Sequence, residues 1–339
     1  MRLLAFILKG IVFLILWGAL SCSATDQKPS AGMVNAGGWQ ELNLQHDGLK
    51  RWFRVYRPAE LPPDAAVVVL LHGGTQSMRK IFRPRSGGTQ EWRRVAEQEK
   101  FLLLVPNGTN PKTGDTFGNH QNWNDVRLAA SVNTPPVDDI GFLGALLDWA
   151  GQKYAVDRTR LYVTGASNGG MMTYRLLMEM SDRVAAGAAF IANLPVDDRR
   201  MRIPDRPVPL LICNGTEDPL VRWEGGEIPG GRGNLRSAKQ TVAWWVKANR
   251  ANSQRPESFP VQDSDPDDGC RLYRTLYPPL AGGAVVEFIR MQGGGHTLPS
   301  KRHPLPERLW IKRLFGPACR DVEGAWLAWD FLKRYRLAD

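Results

Sequence analysis

The stretch Leu161-Tyr-Val-Thr-Gly-Ala-Ser-Asn-Gly-Gly-Met171 constrains this chain more than any other, because it joins an apolar strand to a helical pattern through Gly165-Ala-Ser-Asn-Gly169. In that context G-x-S-x-G reads as a sharp strand-to-helix turn that lifts a serine clear of its neighbours. Only small residues fit such a turn. Gly170 lets the following helix, with Met171, Met172, Leu176 and Met180 among its apolar positions, pack close to the sheet. A serine hydroxyl is a weak nucleophile until a base takes its proton, so Ser167 requires a histidine and an orienting acid elsewhere. Without the flanking strand and helix, the same residues would be a glycine-rich turn with an incidental serine.

In folds built around this turn the acid and then the histidine follow the serine along the chain. Of the five histidines, His46, His72 and His120 precede Ser167, which leaves His296 and His303. His296 follows the strand-like Ala284–Met291 through Gln292-Gly-Gly-Gly295, a loop able to swing an imidazole towards a serine. His303 sits in the basic, proline-punctuated Lys301-Arg-His-Pro304 and reads as a surface residue. For the acid, Val208–Asn214 reads as a buried strand, and Gly215-Thr-Glu-Asp218 follows at its carboxyl end, where open parallel sheets place their sites. Asp218 is preferred because the Asp-Pro step fixes a turn; Glu217 is the adjacent rival. The acidic cluster Asp263, Asp265, Asp267 and Asp268 lies in a Pro- and Ser-rich segment and reads as a solvated loop. A tetrahedral oxyanion needs backbone donors, one from Asn168 after the nucleophile and a second from Gly74 or Thr75, after the apolar Ala65–Leu71. His72 reads as a structural residue that holds this second loop.

Four separated motifs, Leu70-Leu-His-Gly-Gly74, Gly165-Ala-Ser-Asn-Gly-Gly170, Gly215-Thr-Glu-Asp218 and Gly293-Gly-Gly-His-Thr297, together resemble the secreted polyhydroxybutyrate-depolymerase-like esterases. These are similar to the family 1 carbohydrate esterases, such as feruloyl and acetylxylan esterases. The likeness runs from about Trp39 to the C-terminal helix and includes Asn122-Trp-Asn-Asp125 and Val137-Asp-Asp-Ile-Gly-Phe142. The resemblance implies an α/β-hydrolase fold, a triad of Ser167, Asp218 and His296, and ester hydrolysis through an acyl-enzyme. The family commonly carries an aromatic after the His-Thr pair, whereas Leu298 stands here, so an aromatic wall is not expected at that place.

Domain organisation follows from the spread of these motifs. A leader over residues 1–22, a linker over 23–35 and one α/β catalytic domain over 36–339 are expected, with a mostly parallel sheet and helices on both faces. Strands are read near Leu49–Tyr56, Ala66–Leu71, Phe101–Val105, Leu161–Thr164, Ala185–Phe190, Val208–Cys213 and Val285–Met291. Val137, Ile140, Gly144 and Leu147 recur at helical spacing after Pro135-Pro136, with Asp138 and Asp139 in the first turn, where carboxylates favour the helix dipole. Val322, Trp326, Trp329 and Leu332 form a final helical stripe.

The leader has Arg2, an apolar core from Gly10 to Ala19 and the small-residue site Ala19-Leu-Ser-Cys22, so the protein is expected outside the cytoplasm, secreted or in the periplasm and cell envelope. Cys22 is a candidate for lipid attachment, although lipoprotein sites usually carry leucine where Ala19 stands; an uncleaved anchor is the third form. Cys213 lies in the buried strand, which leaves Cys270 and Cys319 as the sensible disulfide pair. The formal charge of +10 comes from dispersed arginines without a nucleic-acid motif, and reads as a basic surface suited to anionic envelope or wall polymers. No metal or cofactor is implied. Expected partners are a small ester, an oligoester or an esterified saccharide, with no nucleic acid, and with membrane contact only through an N-terminal lipid or anchor.

Trp123 and Trp223 lie in loops expected near the site and are candidate substrate contacts, with buried packing the alternative for Trp123. No lid-like apolar helix is read beside the catalytic motifs, so short-chain, hydroxycinnamoyl or hydroxybutyryl esters are expected over long-chain lipids. Two other classes stay open. One is a serine peptidase of the same fold, although the chain lacks the usual propeller or cap domain. The other is a catalytically silent surface-binding protein, although such proteins usually lose a triad member.

Overall fold

In the computed structural model, which describes residues 37–84, 86–128 and 137–337, ten strands form one sheet. The expected leader, the linker, Cys22 and Pro135-Pro136 lie outside the described residues. The chain opens with a hairpin of β1 (Gly38–His46) and β2 (Leu49–Arg57), then runs through β3 (Ala65–Leu71), α1 (Glu91–Glu99) and β4 (Leu102–Pro106). Next come α2 (Asp139–Lys153), β5 (Val156–Ala166), α3 (Asn168–Glu179), β6 (Ala186–Phe190) and β7 (Leu210–Gly215). A small hairpin of β8 (Gly226–Glu227) and β9 (Asn234–Leu235) precedes α4 (Ala238–Ala248). The rest is β10 (Glu257–Pro260), β11 (Arg271–Tyr277), β12 (Val286–Gln292), α5 (Leu309–Phe315) and α6 (Gly324–Leu332).

The sheet order is β1-β2-β4-β3-β5-β6-β7-β12-β11-β10. The six central strands from β4 to β12 pair in parallel, and the pairs at each edge are antiparallel. All seven strands read from the sequence are present. The central ones read as unbroken apolar runs because both faces are covered. In β3, Val67, Val69 and Leu71 point to the side of α2, α3 and α4, while Ala66, Val68 and Leu70 point to that of α1 and α6. The outer strands β1, β10 and β11 are not marked by the sequence pattern. β1 is joined to β2 by Asp47-Gly48, both at positive φ, the turn chemistry of a tight hairpin.

From β3 the chain crosses to β4 on one side, and from β5 onwards it proceeds through β6 and β7 on the other, so a crevice opens at the carboxyl ends between β3 and β5. Helix α3 is pressed into this crevice. A Cβ on Gly169 would lie 2.3 Å from the Leu71 carbonyl oxygen, and one on Gly170 would lie 2.7 Å from the Ala192 Cβ. Ser167, between β5 and α3, adopts φ 57° and ψ −122°, a region that a side chain enters only when its surroundings force it there. Its amide donates to the Phe190 carbonyl at 2.9 Å.

Gly169→Ala should therefore lower stability by roughly 1–3 kcal/mol, because only backbone can move to make room. Gly73→Ala, whose nearest new contact would be at 3.4 Å, should stay close to wild type. Urea unfolding of the two variants tests the contrast, which fails if Gly73→Ala is the worse.

Candidate active site

Four parallel strands deliver the site. The loop after β3 carries His72 to Thr75, the turn after β5 carries Ser167 and Asn168, the loop after β7 carries Asp218, and the loop after β12 carries His296. Because β7 and β12 are neighbours, the last two loops are stitched together. Thr216 and Glu217 donate their amides to the Met291 and Gly294 carbonyls at 3.0 and 2.9 Å, and Gly293 donates to the Thr216 hydroxyl at 2.8 Å. The result is a 2.7 Å contact between Asp218 Oδ2 and His296 Nδ1. The other carboxylate oxygen, Oδ1, accepts the amides of Leu220 and Val221 at 2.8 Å each, so the buried carboxylate is held from both ends. Glu217, the rival acid, is exposed. His303 stands 3.6 Å from Glu91, away from this cluster.

Ser167 and His296 line one cleft of about 490 Å³ together with Gly73, Gly74 and Thr75. Asn168 opens α3, with its amide in the helix's first turn, where N–H groups lack helical acceptors. Its side chain is a structural clamp: Oδ1 accepts the Trp123 amide at 2.8 Å, and Nδ2 donates to Asp125 Oδ2 at 2.7 Å. Asp125 in turn grips the Arg127 guanidinium, at 3.0 and 2.6 Å. Of the two candidate second donors, the Thr75 amide is taken by Asn122 Oδ1 at 2.8 Å. Gly74 N–H has no acceptor among the described residues and remains available.

His72 is buried beneath this loop, 2.8 Å from the Gly73 carbonyl through Nδ1 and 3.0 Å from the Gly108 amide through Nε2. A carbonyl on one side and an N–H on the other assign the neutral ring with its proton on Nδ1. Burial pushes its pKa down to about 4. Asp138 caps α2 by accepting the Gly141 amide at 2.9 Å, and Asp139 pairs with Arg51, so both carboxylates are structural. Burial raises the Cys213 thiol pKa, and Cys270 and Cys319 are joined in a disulfide. The latter packs under the histidine loop: a Cβ on Gly294 would lie 3.3 Å from Cys270 Sγ.

Three expectations are corrected. Trp123 is fully buried, its indole N–H bound to the His72 carbonyl at 2.9 Å and its ring 4.8 Å from the His72 ring, so it builds the loop and touches no substrate. Trp223 stacks on Phe288 at 5.8 Å as part of the core edge and does not line the cleft. A lid-like apolar helix does exist. Trp310, Ile311 and Phe315 of α5 line the cleft, while Leu309, Trp310 and Leu314 are exposed to solvent. The signal lay in Leu309-Trp-Ile-Lys-Arg-Leu-Phe315, which is short and lacks a capping residue. It also supplies aromatic side chains to the cleft although Leu298 replaces the aromatic expected after Thr297.

A serine on a strained strand-to-helix turn, sharing a cleft with an aspartate-bound imidazole at the carboxyl ends of a parallel sheet, defines the serine-hydrolase arrangement of the α/β-hydrolase fold. No protein-family model matches the chain. It is 23% identical over 257 residues to a bifunctional acetylxylan esterase/xylanase of Neocallimastix patriciarum, covering 75% of this chain and 32% of that protein. It is 31% identical to feruloyl esterase B of Piromyces equi (64% and 38% covered) and 33% identical to a poly(3-hydroxybutyrate) depolymerase of Ralstonia pickettii (40% and 27%). The chain thus spans about a third of the length of these relatives. Among solved structures, the acetyl xylan esterase from Aspergillus awamori superposes with a TM-score of 0.51 at 15% identity, covering 83% of this chain and 99% of that one. The α/β-hydrolase fold and the resemblance carried by the four motifs are borne out.

The low pKa of His72 makes a stability prediction. Its folded value lies below the ordinary 6.5, so the unfolded chain binds the extra proton between the two values. Its contribution is complete above about pH 6.5 and is lost as pH falls towards about 4, on the order of 3 kcal/mol in all. Urea unfolding from pH 7.5 to 4 should show this slope, and His72→Gln, which keeps an acceptor for Gly108, should flatten it. Equal slopes in the two proteins would assign the acid sensitivity elsewhere.

Proposed function

We propose that this protein is a serine carboxylic-ester hydrolase working through an acyl-enzyme, and the observation that carries the reading is the Asp218–His296 contact in the cleft that holds Ser167. His296 accepts the Ser167 proton through Nε2 as the hydroxyl oxygen attacks the ester carbonyl, while Asp218 holds Nδ1–H and stabilises the imidazolium. The Asn168 and Gly74 amides receive the oxyanion. His296 then protonates the leaving alcohol, and water repeats the sequence on the acyl-serine to release the acid.

The substrate class rests on the cleft and the relatives' names. Apolar side chains from α3, the loop after β7 and α5 line the cleft, suiting an aromatic or short hydroxyalkanoyl group, and the named relatives act on acetylated, feruloylated and poly(3-hydroxybutyrate) substrates. We place the protein outside the cytoplasm on the strength of its leader, in a secreted or lipid-anchored form.

Ser167→Ala and His296→Ala should each abolish hydrolysis of 4-nitrophenyl esters and fluorophosphonate labelling without unfolding, and the double variant should lose no more. Asp218→Asn should keep its fold and lose turnover on the order of 10⁴-fold, because the imidazole can then adopt the wrong tautomer. Labelling with no ester turnover but with cleavage of peptide amides would assign a peptidase. Absence of both labelling and turnover in the wild type would assign a silent binder.

Trp310→Ala should raise KM for methyl ferulate more than for 4-nitrophenyl acetate, because only the larger acyl group reaches α5. An equal effect on both would remove Trp310 from the acyl pocket.

A further inference from the structure

The cleft around Ser167 is lined by Arg127, Arg232 and Arg308 and, among the described residues, by no aspartate or glutamate. The three arginines are not equivalent. Arg127 is committed to Asp125, and Arg308 is exposed at the start of α5. Arg232 sits at the tip of the β8–β9 hairpin, half-buried, between Gly231 and Gly233.

Its position is built from both sides. Arg127 Nη1 donates to the Arg232 carbonyl at 3.0 Å, tying the hairpin tip to the Asn168–Asp125 clamp beside the nucleophile. Arg232 Nε donates to the Pro229 carbonyl at 2.8 Å, which fixes the plane of the guanidinium. Nη1 and Nη2 have no hydrogen-bond partner among the described residues, and no carboxylate pairs with the side chain. The sequence has no acidic residue from Val126 to Val137 that could supply one. Burial and the neighbouring Arg127 charge pull its pKa below the ordinary arginine value, although it stays charged at working pH. A half-buried, oriented fork with two open N–H corners matches a carboxylate in size and geometry.

Resting on the ester-hydrolase reading, we propose that Arg232 is a specificity residue that binds a second, unreacting carboxylate, so that the preferred substrates are acidic esters: half-esters of dicarboxylic acids, or esters whose alcohol carries a carboxylate, as the free-acid end of an oligoester does. The remaining charge of the cleft assists. Arg308 adds a long-range attraction for anions, and no carboxylate among the described lining residues opposes it.

Matched pairs test this. Mono(4-nitrophenyl) adipate beside 4-nitrophenyl hexanoate places the charge on the acyl side, and 4-acetoxybenzoate beside 4-acetoxybenzamide places it on the alcohol side. In the wild type, kcat/KM for the acidic member of at least one pair should exceed its neutral partner by about 10-fold or more, as a charge-assisted contact supplies, and mainly through KM. Arg232→Gln should collapse that ratio, Arg232→Lys should keep part of it, and added salt should shrink it. Should Arg232→Gln fail to fold, the Lys variant and competitive inhibition of the wild type by free adipate but not by hexanamide carry the test. Turnover of neutral esters with no acidic preference in either pair overturns the proposal and leaves the hydrolase reading intact. So does an acidic preference that survives Arg232→Gln. Turnover of no ester at all overturns both.

Discussion

Everything at this site depends on how closely α3 approaches the carboxyl ends of β3 and β5. With Gly169 against the Leu71 carbonyl and Gly170 against Ala192, the helix sits closer than any side chain at those positions would allow, and the residue between strand and helix turns at positive φ. That residue is Ser167. The same approach brings the first amides of α3 level with the loop after β3, so the positions of the proposed nucleophile and of its proposed oxyanion donors are consequences of one packing contact. The strain in Ser167 is sustained by the large core on both sheet faces, in which each buried aliphatic side chain contributes about 1.5–3 kcal/mol.

The central strands and the Ser–Asp–His order were legible because each carries a local signature. Doubly covered parallel strands are continuous apolar runs, and Gly165 to Gly170 has few other uses. Asp218 could be preferred to Glu217 from the Asp-Pro step alone. The outer strands carry no such signature because their exposed faces break the apolar pattern: β10 is exposed throughout. The Asp47-Gly48 turn was the available signal for β1.

Residues whose place the sequence does not settle share a different cause. Trp123 and Trp223 sit in loops that sequence places near the site, but whether an indole faces a cleft or the core is decided by tertiary contacts, here His72 and Phe288. Arg232 lies more than sixty residues from Ser167 in a glycine-rich tip with no motif, and tertiary hydrogen bonds, from Arg127 to its carbonyl and between the hairpin and Leu194–Val196, bring it to the cleft. The Asn168 side chain joins Trp123 and Asp125, and Asp125 joins Arg127, a buried polar chain whose partners are set by tertiary contact and not by local pattern.

The disulfide between Cys270 and Cys319 closes a covalent ring spanning 49 positions, and His296 and the whole of α5 lie inside it. Chain-entropy arguments give such a ring on the order of 4 kcal/mol of stabilisation by restricting the unfolded chain. Because β11 and β12 are also within the ring, the histidine loop and α5 are covalently closed off with two sheet strands. Independent opening of the loop should therefore be suppressed, with slow amide exchange at Gly295 and His296, whose N–H groups bind the Pro317 and Phe315 carbonyls. The proposed base, His296, would then belong to the same cooperative unit as the sheet, although it follows a run of three glycines.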